Sequence, residues 1–231
     1  MSKQILNPEM AFRLIIECCL AEADSRKAPA MEAYMKNKFT FYGIPAPQRK
    51  LISKRIKNTF LISDTCALWK LIEMLWQDAH RECQYIAIDL LSSCVKKLEL
   101  KDVAKLEILV LDKSWWDTVD ALAANLIGPI FRSHPAEFKL KALEWSDMDN
   151  IWIIRTSIIA QLKFEKHTHW DLLQQIILKH ADSKEFFIRK AQGWALRQYA
   201  KVDSQSVIEF VHAHQDLSGL TKKEALKGLP V

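Results

Sequence analysis

The stretch that decides the fold is residues 151–164, which read IWIIRTSIIAQLKF. A single charged side chain, Arg155, interrupts its apolar first half, as expected of a helix with one face in a core and one on a surface. Three further segments align with it without gaps: 81-RECQYIAIDLLSSC-94, 116-WDTVDALAANLIGP-129 and 186-FFIRKAQGWALRQY-199. Segments that are this similar in pattern indicate an internal repeat.

The alignment places one polar position in a column. Tyr85, Asp120, Arg155 and Lys190 follow one another at intervals of 35 residues, and one further step back reaches Lys50. A period of this size, made of two helices, indicates that each helix pair buries its apolar face against its neighbours. The predicted fold is all-α, a right-handed α-solenoid of HEAT-like helix pairs that forms a single domain over residues 1–231 and curves around a concave basic groove. Chance register among amphipathic helices is the alternative.

Composition agrees with long helices and a reducing compartment. The chain has 231 residues, of which 49% are hydrophobic and 26% charged, so it can bury a core. Gly and Pro contribute only 5 and 7 residues, too few for the many turns of a β-sandwich or barrel. The five cysteines include no CxxC pair, and the chain has no apolar run of 18 residues. No signal peptide is expected, because the apolar stretch near the start is short and contains Glu17. These features predict a soluble, cytoplasmic protein.

Capping residues mark several predicted helix starts. Asn7 stands before a proline and an acidic residue, which is a favourable order for a first turn. Asp64 and Asp203 precede further apolar-periodic stretches. Near the end of the chain, Thr221 and Glu224 have the spacing of a capping box. We therefore expect the last helix to begin at Thr221.

Positive charge is concentrated in residues 33–63. This segment contains no acidic residue, and its basic side chains, spread over two predicted helices, suit the binding of phosphate groups. A solvated surface face is the alternative interpretation. The seven basic residues are Lys36, Lys38, Arg49, Lys50, Lys54, Arg55 and Lys57.

Asp120 is unexpected on a surface that binds phosphates, because its carboxylate repels them. Trp116 lies one helical turn before it, and Trp194 lies one turn after Lys190 in an equivalent helix. A carboxylate and aromatic faces both stabilise positive charge, which develops on a deoxyribose when its bond to a base breaks. The alternative is structural: Asp120 pairs with Arg155, and the tryptophans are core residues, as we expect of Trp69, Trp76, Trp145, Trp152 and Trp170.

Other chemistries have weaker signals. Lys190 lies in the column, but its neighbours show no desolvation that would make it a lyase nucleophile. His167 and His169 lack a third metal ligand with suitable spacing. The chain has no P-loop, GxGxxG or GxSxG motif. No metal or cofactor is therefore predicted.

Four collinear segments resemble the AlkD-like DNA glycosylases, which remove alkylated purines and are built from HEAT-like repeats. They are 33-AYMKNKFTFYGI-44, 113-KSWWDTVD-120, 149-DNIWIIR-155 and 184-KEFFIRKAQGWALRQYAK-201. The resemblance implies that Asp120 is the catalytic carboxylate and that Trp116 and Trp194 hold the damaged nucleotide. It also implies DNA-backbone contacts for Tyr34, Arg155 and Arg197, and the column adds Lys50 and Lys190 as cations expected to contact DNA.

The same resemblance implies action on cationic N3- and N7-alkylated purines without base flipping, and we predict a monofunctional enzyme on duplex DNA. A curved solenoid that grips duplex DNA needs no partner subunit, so a monomer is expected. Such bases are good leaving groups, so no general acid is required. In the loop 43-GIPAPQRK-50 the sequence departs from the family pattern, because Ala46 replaces a hydroxyl residue and Lys50 an arginine. A non-catalytic scaffold that binds unusual DNA structures or a protein is the alternative function. When bound to DNA, the protein is expected at the nucleoid.

Overall fold

The computed structural model of the chain describes residues 4–62 and 64–229. The chain forms two compact units, Met1–Lys97 and Leu98–Val231, which we call unit 1 and unit 2. Among its described residues, unit 1 has five α-helices and one pair of short strands. The helices are α1 (Pro8–Glu22), α2 (Ala28–Tyr34), α3 (Ala46–Thr59), α4 (Thr65–Gln77) and α5 (Arg81–Ser93), and strands β1 (Gln4–Leu6) and β2 (Phe60–Ile62) pair in parallel.

All regular secondary structure in the described residues of unit 2 is helical. Helices α7, α10, α12 and α14 pack in succession, and α6, α9, α11 and α13 form partners to them. The all-α prediction is confirmed, and the stacking of helix pairs in unit 2 is that of a solenoid. The helices are α6 (Val103–Leu111), α7 (Trp116–Leu122), α8 (Gly128–Phe131), α9 (Pro135–Ser146), α10 (Ile151–Ile159), α11 (Trp170–Lys179), α12 (Phe186–Tyr199), α13 (Ser204–Ala213) and α14 (Gly219–Ala225). The single domain stays a prediction.

Capping hydrogen bonds confirm three of the four helix starts. The side chains of Asn7, Asp64 and Asp203 each accept a backbone N–H of the following first turn. The start at Thr221 is wrong, because the cap of α14 is Ser218, whose hydroxyl accepts the Thr221 N–H at 3.0 Å. The helix therefore begins at Gly219, so Glu224 does not have the position of a capping-box acid.

Four of the five tryptophans expected in the core are buried, and the fifth lies at its edge. Trp170 is half-buried and stacks on the ring of Tyr199 at 4.6 Å. The other four are Trp69, Trp76, Trp145 and Trp152.

A buried carboxylate fixes the loop that leads into the basic helix α3. Glu82 of α5 accepts the backbone N–H groups of Tyr42, Gly43 and Ile44 at 2.9–3.1 Å. Gly43 adopts a φ of 84°, which side-chain-bearing residues rarely adopt, and a Cβ there would lie 2.1 Å from the carbonyl oxygen of Asp24. The loop is therefore specified by contacts from two other parts of unit 1.

A π-turn at Ala123–Ile127 joins α7 and α8 into one continuous helix. The N–H of Gly128 donates to the carbonyl oxygen of Ala123, five residues earlier. A Cβ at Gly128 would lie 2.1 Å from the carbonyl oxygen of Ala160, so the glycine lets this helix approach the end of α10 directly. π-Turns of this kind often occur near functional sites.

Gly128→Ala is expected to lower the free energy of unfolding by about 1–3 kcal/mol, because the added methyl group meets backbone that cannot move aside. Urea titration measures the loss. Gly219→Ala is the matched control, since a Cβ at Gly219 has nothing within 4 Å. Equal effects of the two substitutions would show that the close approach to Ala160 does not limit stability.

Candidate active site

The candidate site in unit 2 is centred on an ion pair between α7 and α10. Arg155 of α10 donates Nε–H to Oδ1 of Asp120 at 2.7 Å and Nη2–H to Oδ2 at 2.8 Å. The side chain of Arg155 is 5% exposed and that of Asp120 is 18% exposed. The pair is thus bidentate, with its cation buried and its acidic partner partly exposed.

Arg155 is held from a third side by α12. Its Nη1–H donates to the carbonyl oxygen of Phe187 at 2.5 Å, and its guanidinium lies 6.0 Å from the Phe187 ring centroid. Phe187 packs in turn against Trp115 and Trp152, at centroid distances of 5.0 and 4.9 Å. The surface exposure that the sequence suggested for Arg155 is wrong, because its guanidinium is used inside the protein.

The electrostatic state of Asp120 reflects two opposing influences. Burial raises the pKa of Asp120, and the charge of Asp117 contributes in the same direction. The hydrogen bonds and charge of Arg155 act to lower the pKa. Arg155 occupies one acceptor position on each carboxylate oxygen, so each oxygen keeps lone pairs that Arg155 does not use.

Trp116 and Trp194 are more exposed than the four buried tryptophans. Trp116 is the first residue of α7, one turn before Asp120, and Trp194 lies in α12. Both are half-buried. An indole that presents part of its surface can contact a ligand, as the sequence interpretation requires. Their joint action around Asp120 stays a prediction.

Two of the cations expected to contact DNA meet one carboxylate. Lys190 Nζ donates to Oε1 of Glu224 at 2.8 Å, and Arg197 Nη1–H donates to Oε2 at 2.6 Å. The hydrogen bond from Lys190, reinforced by that from Arg197, lowers the pKa of Glu224. Glu224 comes from α14, so the cluster joins two neighbouring helices.

In unit 1 most of the basic side chains of residues 33–63 are exposed, but Arg49 is not. Arg49 pairs with Asp89 of α5 at 2.7 Å, and its guanidinium lies 4.9 Å from the ring centroid of Tyr85. Lys50 is exposed, and Tyr34 is 68% exposed. The segment without acids therefore receives the carboxylate of Asp89 in addition to that of Glu82, and Lys50 rather than Arg49 is accessible to a phosphate.

Three contributors to these clusters were not found from the sequence. Asp89 and Glu224 lie on other helices than the cations they pair with. The only indication of these pairs in the sequence is that each acid follows its cation by about one repeat. The Phe187 carbonyl is a backbone acceptor, which no residue type reveals. In contrast, the column had already placed Asp120 and Arg155 exactly one repeat apart.

Neither a metal site nor a membrane-spanning helix is found in the part of the chain that the structure describes. Within residues 4–62 and 64–229, no group of three or more His, Cys, Asp or Glu side chains is arranged to hold a metal ion. No helix in the same residues combines the length and apolar character needed to cross a bilayer.

Known proteins resemble the chain over nearly its whole length. Residues 17–229 match the model of a family described as DNA alkylation repair enzyme. A solved structure, a predicted DNA alkylation repair enzyme from Enterococcus faecalis, is 35% identical with a TM-score of 0.83 and covers 90% of this chain and 97% of its own. No curated protein matches. With a helical fold of this kind and a family match across both units, the chain belongs to the DNA alkylation repair enzymes.

Proposed function

We propose that the protein is a monofunctional DNA glycosylase that hydrolyses the N-glycosidic bond of cationic N3- and N7-alkylated purines in duplex DNA. Family membership supports a role in DNA repair. The observation that carries the chemistry is Asp120, a partly exposed carboxylate held in a bidentate pair by a buried arginine. A fixed anion of this kind stabilises a positive charge that develops beside it.

In the proposed reaction the bond between C1′ and the base nitrogen breaks, and its electron pair goes to the base. The base already carries a positive charge, so it leaves as a neutral molecule and needs no proton. The sugar becomes oxocarbenium-like and is stabilised by the Asp120 carboxylate and by the indoles of Trp116 and Trp194. Water then adds to C1′ and loses a proton, which leaves an abasic site. Arg155 positions Asp120 and does not itself touch the DNA.

Because the leaving group needs no protonation, the lesion need not enter a pocket that supplies an acid. Reaction without base flipping is therefore part of the proposal, in contrast to the usual route for base chemistry. Lys50, Lys190, Arg197 and Tyr34 are proposed to contact the DNA backbone, with no cofactor and no second subunit.

The direct test is incubation of the pure protein with a duplex that contains 7-methylguanine, followed by detection of the free base. Free 7-methylguanine above the spontaneous rate, together with strands that break only after alkali treatment, supports a monofunctional glycosylase. Duplex binding without any released base would favour the non-catalytic scaffold, in which the Asp120–Arg155 pair is only structural.

We expect the acid limb of the pH–rate profile to report Asp120. Only the ionised carboxylate stabilises a cation, and burial raises the pKa of Asp120, so the rate should fall at a higher pH than an ordinary carboxyl near about 4 would give. Arg155→Lys, which loses the bidentate contact, should move the fall to still higher pH. Single-turnover rates, corrected for spontaneous depurination at each pH, provide the measurement. A limb unaffected by Arg155→Lys would assign the titration to another group.

A further inference from the structure

The cluster of Lys190, Arg197 and Glu224 has a geometry that its charges alone do not require. Each carboxylate oxygen of Glu224 takes one cation, Oε1 from Lys190 and Oε2 from Arg197. A phosphodiester likewise has two non-bridging oxygens on one central atom, and each of them can face its own cation. The carboxylate therefore fills a place that suits a backbone phosphate.

The packing of α14 against α12 holds Glu224 in this place. Gly193 lies on the same face of α12 as Lys190, three residues before it, and Arg197, four residues after it. A Cβ at Gly193 would lie 2.5 Å from the Cβ of Glu224, so the missing side chain admits the glutamate between the two cations.

A second contact fixes the register of the two helices. The hydroxyl of Thr221, one turn before Glu224, donates to Oε1 of Gln192 at 2.9 Å. Gln192 is fully buried, and its own Nε2–H donates to the carbonyl oxygen of His180 at 2.8 Å. Glu224 is thus placed by the framework of unit 2 and is not a surface side chain that happens to meet a cation.

The cations remain accessible although they are paired. The side chains of Lys190 and Arg197 are 37% and 30% exposed, while that of Glu224 is 15% exposed. An incoming phosphate can therefore reach both cations from the solvent side, and Glu224 opposes it from the protein side. With the carboxylate present, the three groups carry one net positive charge instead of two.

We propose that Glu224 is an internal substitute for one DNA phosphate, which competes for Lys190 and Arg197 and limits the affinity of the protein for duplex DNA. This inference rests on the DNA binding of the proposed function. Its consequence is a weaker grip on undamaged DNA, which permits release and further search, since non-specific binding is almost entirely electrostatic.

The test measures binding of Glu224→Gln to an undamaged, fluorescently labelled duplex over a range of salt concentrations. We expect binding about tenfold tighter at low salt, and a plot of log K against log salt that is steeper by about 0.9, equivalent to one more counterion released. Glu209→Gln is the control, because it removes the same charge from an exposed position on α13. Affinity unchanged or weakened in Glu224→Gln, or equal tightening in Glu209→Gln, overturns the proposal.

Glu224→Asp tests the same point without removing charge, in case Glu224→Gln does not fold. The shorter side chain cannot reach both cations at once, so binding should be intermediate between wild type and Glu224→Gln. Binding no tighter than wild type in a folded Glu224→Asp protein also counts against the competition. Base release and duplex binding are separate readouts: binding without release contradicts only the glycosylase, and release with no effect of Glu224 contradicts only this inference.

Discussion

Asp120→Asn is expected to lower the single-turnover rate of base release by about 10³-fold, while duplex binding is retained or becomes tighter. The amide has nearly the same shape as the carboxylate but carries no charge to stabilise an oxocarbenium-like sugar. The loss of a negative charge also removes a repulsion toward phosphates. Release of 7-methylguanine under enzyme excess measures the rate, and titration of an undamaged duplex measures binding.

Asp117→Asn is the matched control for this substitution. Asp117 lies in the first turn of the same helix, three residues before Asp120, so its replacement removes the same charge from nearly the same place. We expect its effect on base release to be small. A loss in Asp117→Asn as large as that in Asp120→Asn, or an unchanged rate in Asp120→Asn, would contradict the role assigned to Asp120.

Arg155→Ala is expected to have the largest effect on stability, a loss of about 3–5 kcal/mol in the free energy of unfolding. The substitution leaves the largely buried Asp120 without its bidentate partner and the Phe187 carbonyl without its donor. Base release should fall with it, because the carboxylate is neither oriented nor kept ionised. Urea unfolding gives the stability, and release is measured at a temperature where the variant is folded.

The salt dependence of DNA binding separates two roles for Arg155. A phosphate-binding arginine, as the family resemblance implies, would give a flatter slope when it is removed. The structure uses the guanidinium internally, so we expect the slope for folded Arg155→Ala to match that of wild type. Lys50→Ala, which removes an exposed cation on α3, should flatten the slope. A flatter slope for Arg155→Ala would return Arg155 to the DNA interface.

The sequence allowed the repeat and the centre of the site to be predicted, but not the partners that neutralise its cations. Asp120 and Arg155 occupy the same position in successive repeats, so a periodic pattern brings them together. Glu224 and Asp89 lie at other positions of their helices, and their contacts depend on how closely two helices approach. That approach depends on packing details, such as the absence of a side chain at Gly193, which periodicity does not encode.

Which charged residues are buried and which lie on the surface could also be predicted only in part from the sequence. A lone charged residue in an apolar helix, such as Arg155, looks like a surface residue because burying an isolated charge is costly. For Arg155 the cost of burial is offset by the carboxylate of Asp120 on α7 and by the backbone carbonyl of Phe187 on α12. The residue pattern of a single helix does not show that its charge is paired with groups on two neighbouring helices.

The π-turn at Ala123–Ile127 decides which residue of this helix meets Ala160. A π-turn takes up one surplus residue in a widened turn, so the residues beyond it keep the faces that a regular helix one residue shorter would give them. If the same residues wound as a regular α-helix, Gly128 would rotate by about 100° relative to Asp120 and turn away from the carbonyl oxygen of Ala160. Deletion of one residue within the turn is therefore the change in length that this helix absorbs most easily, because it leaves Asp120 and Gly128 facing as they do now.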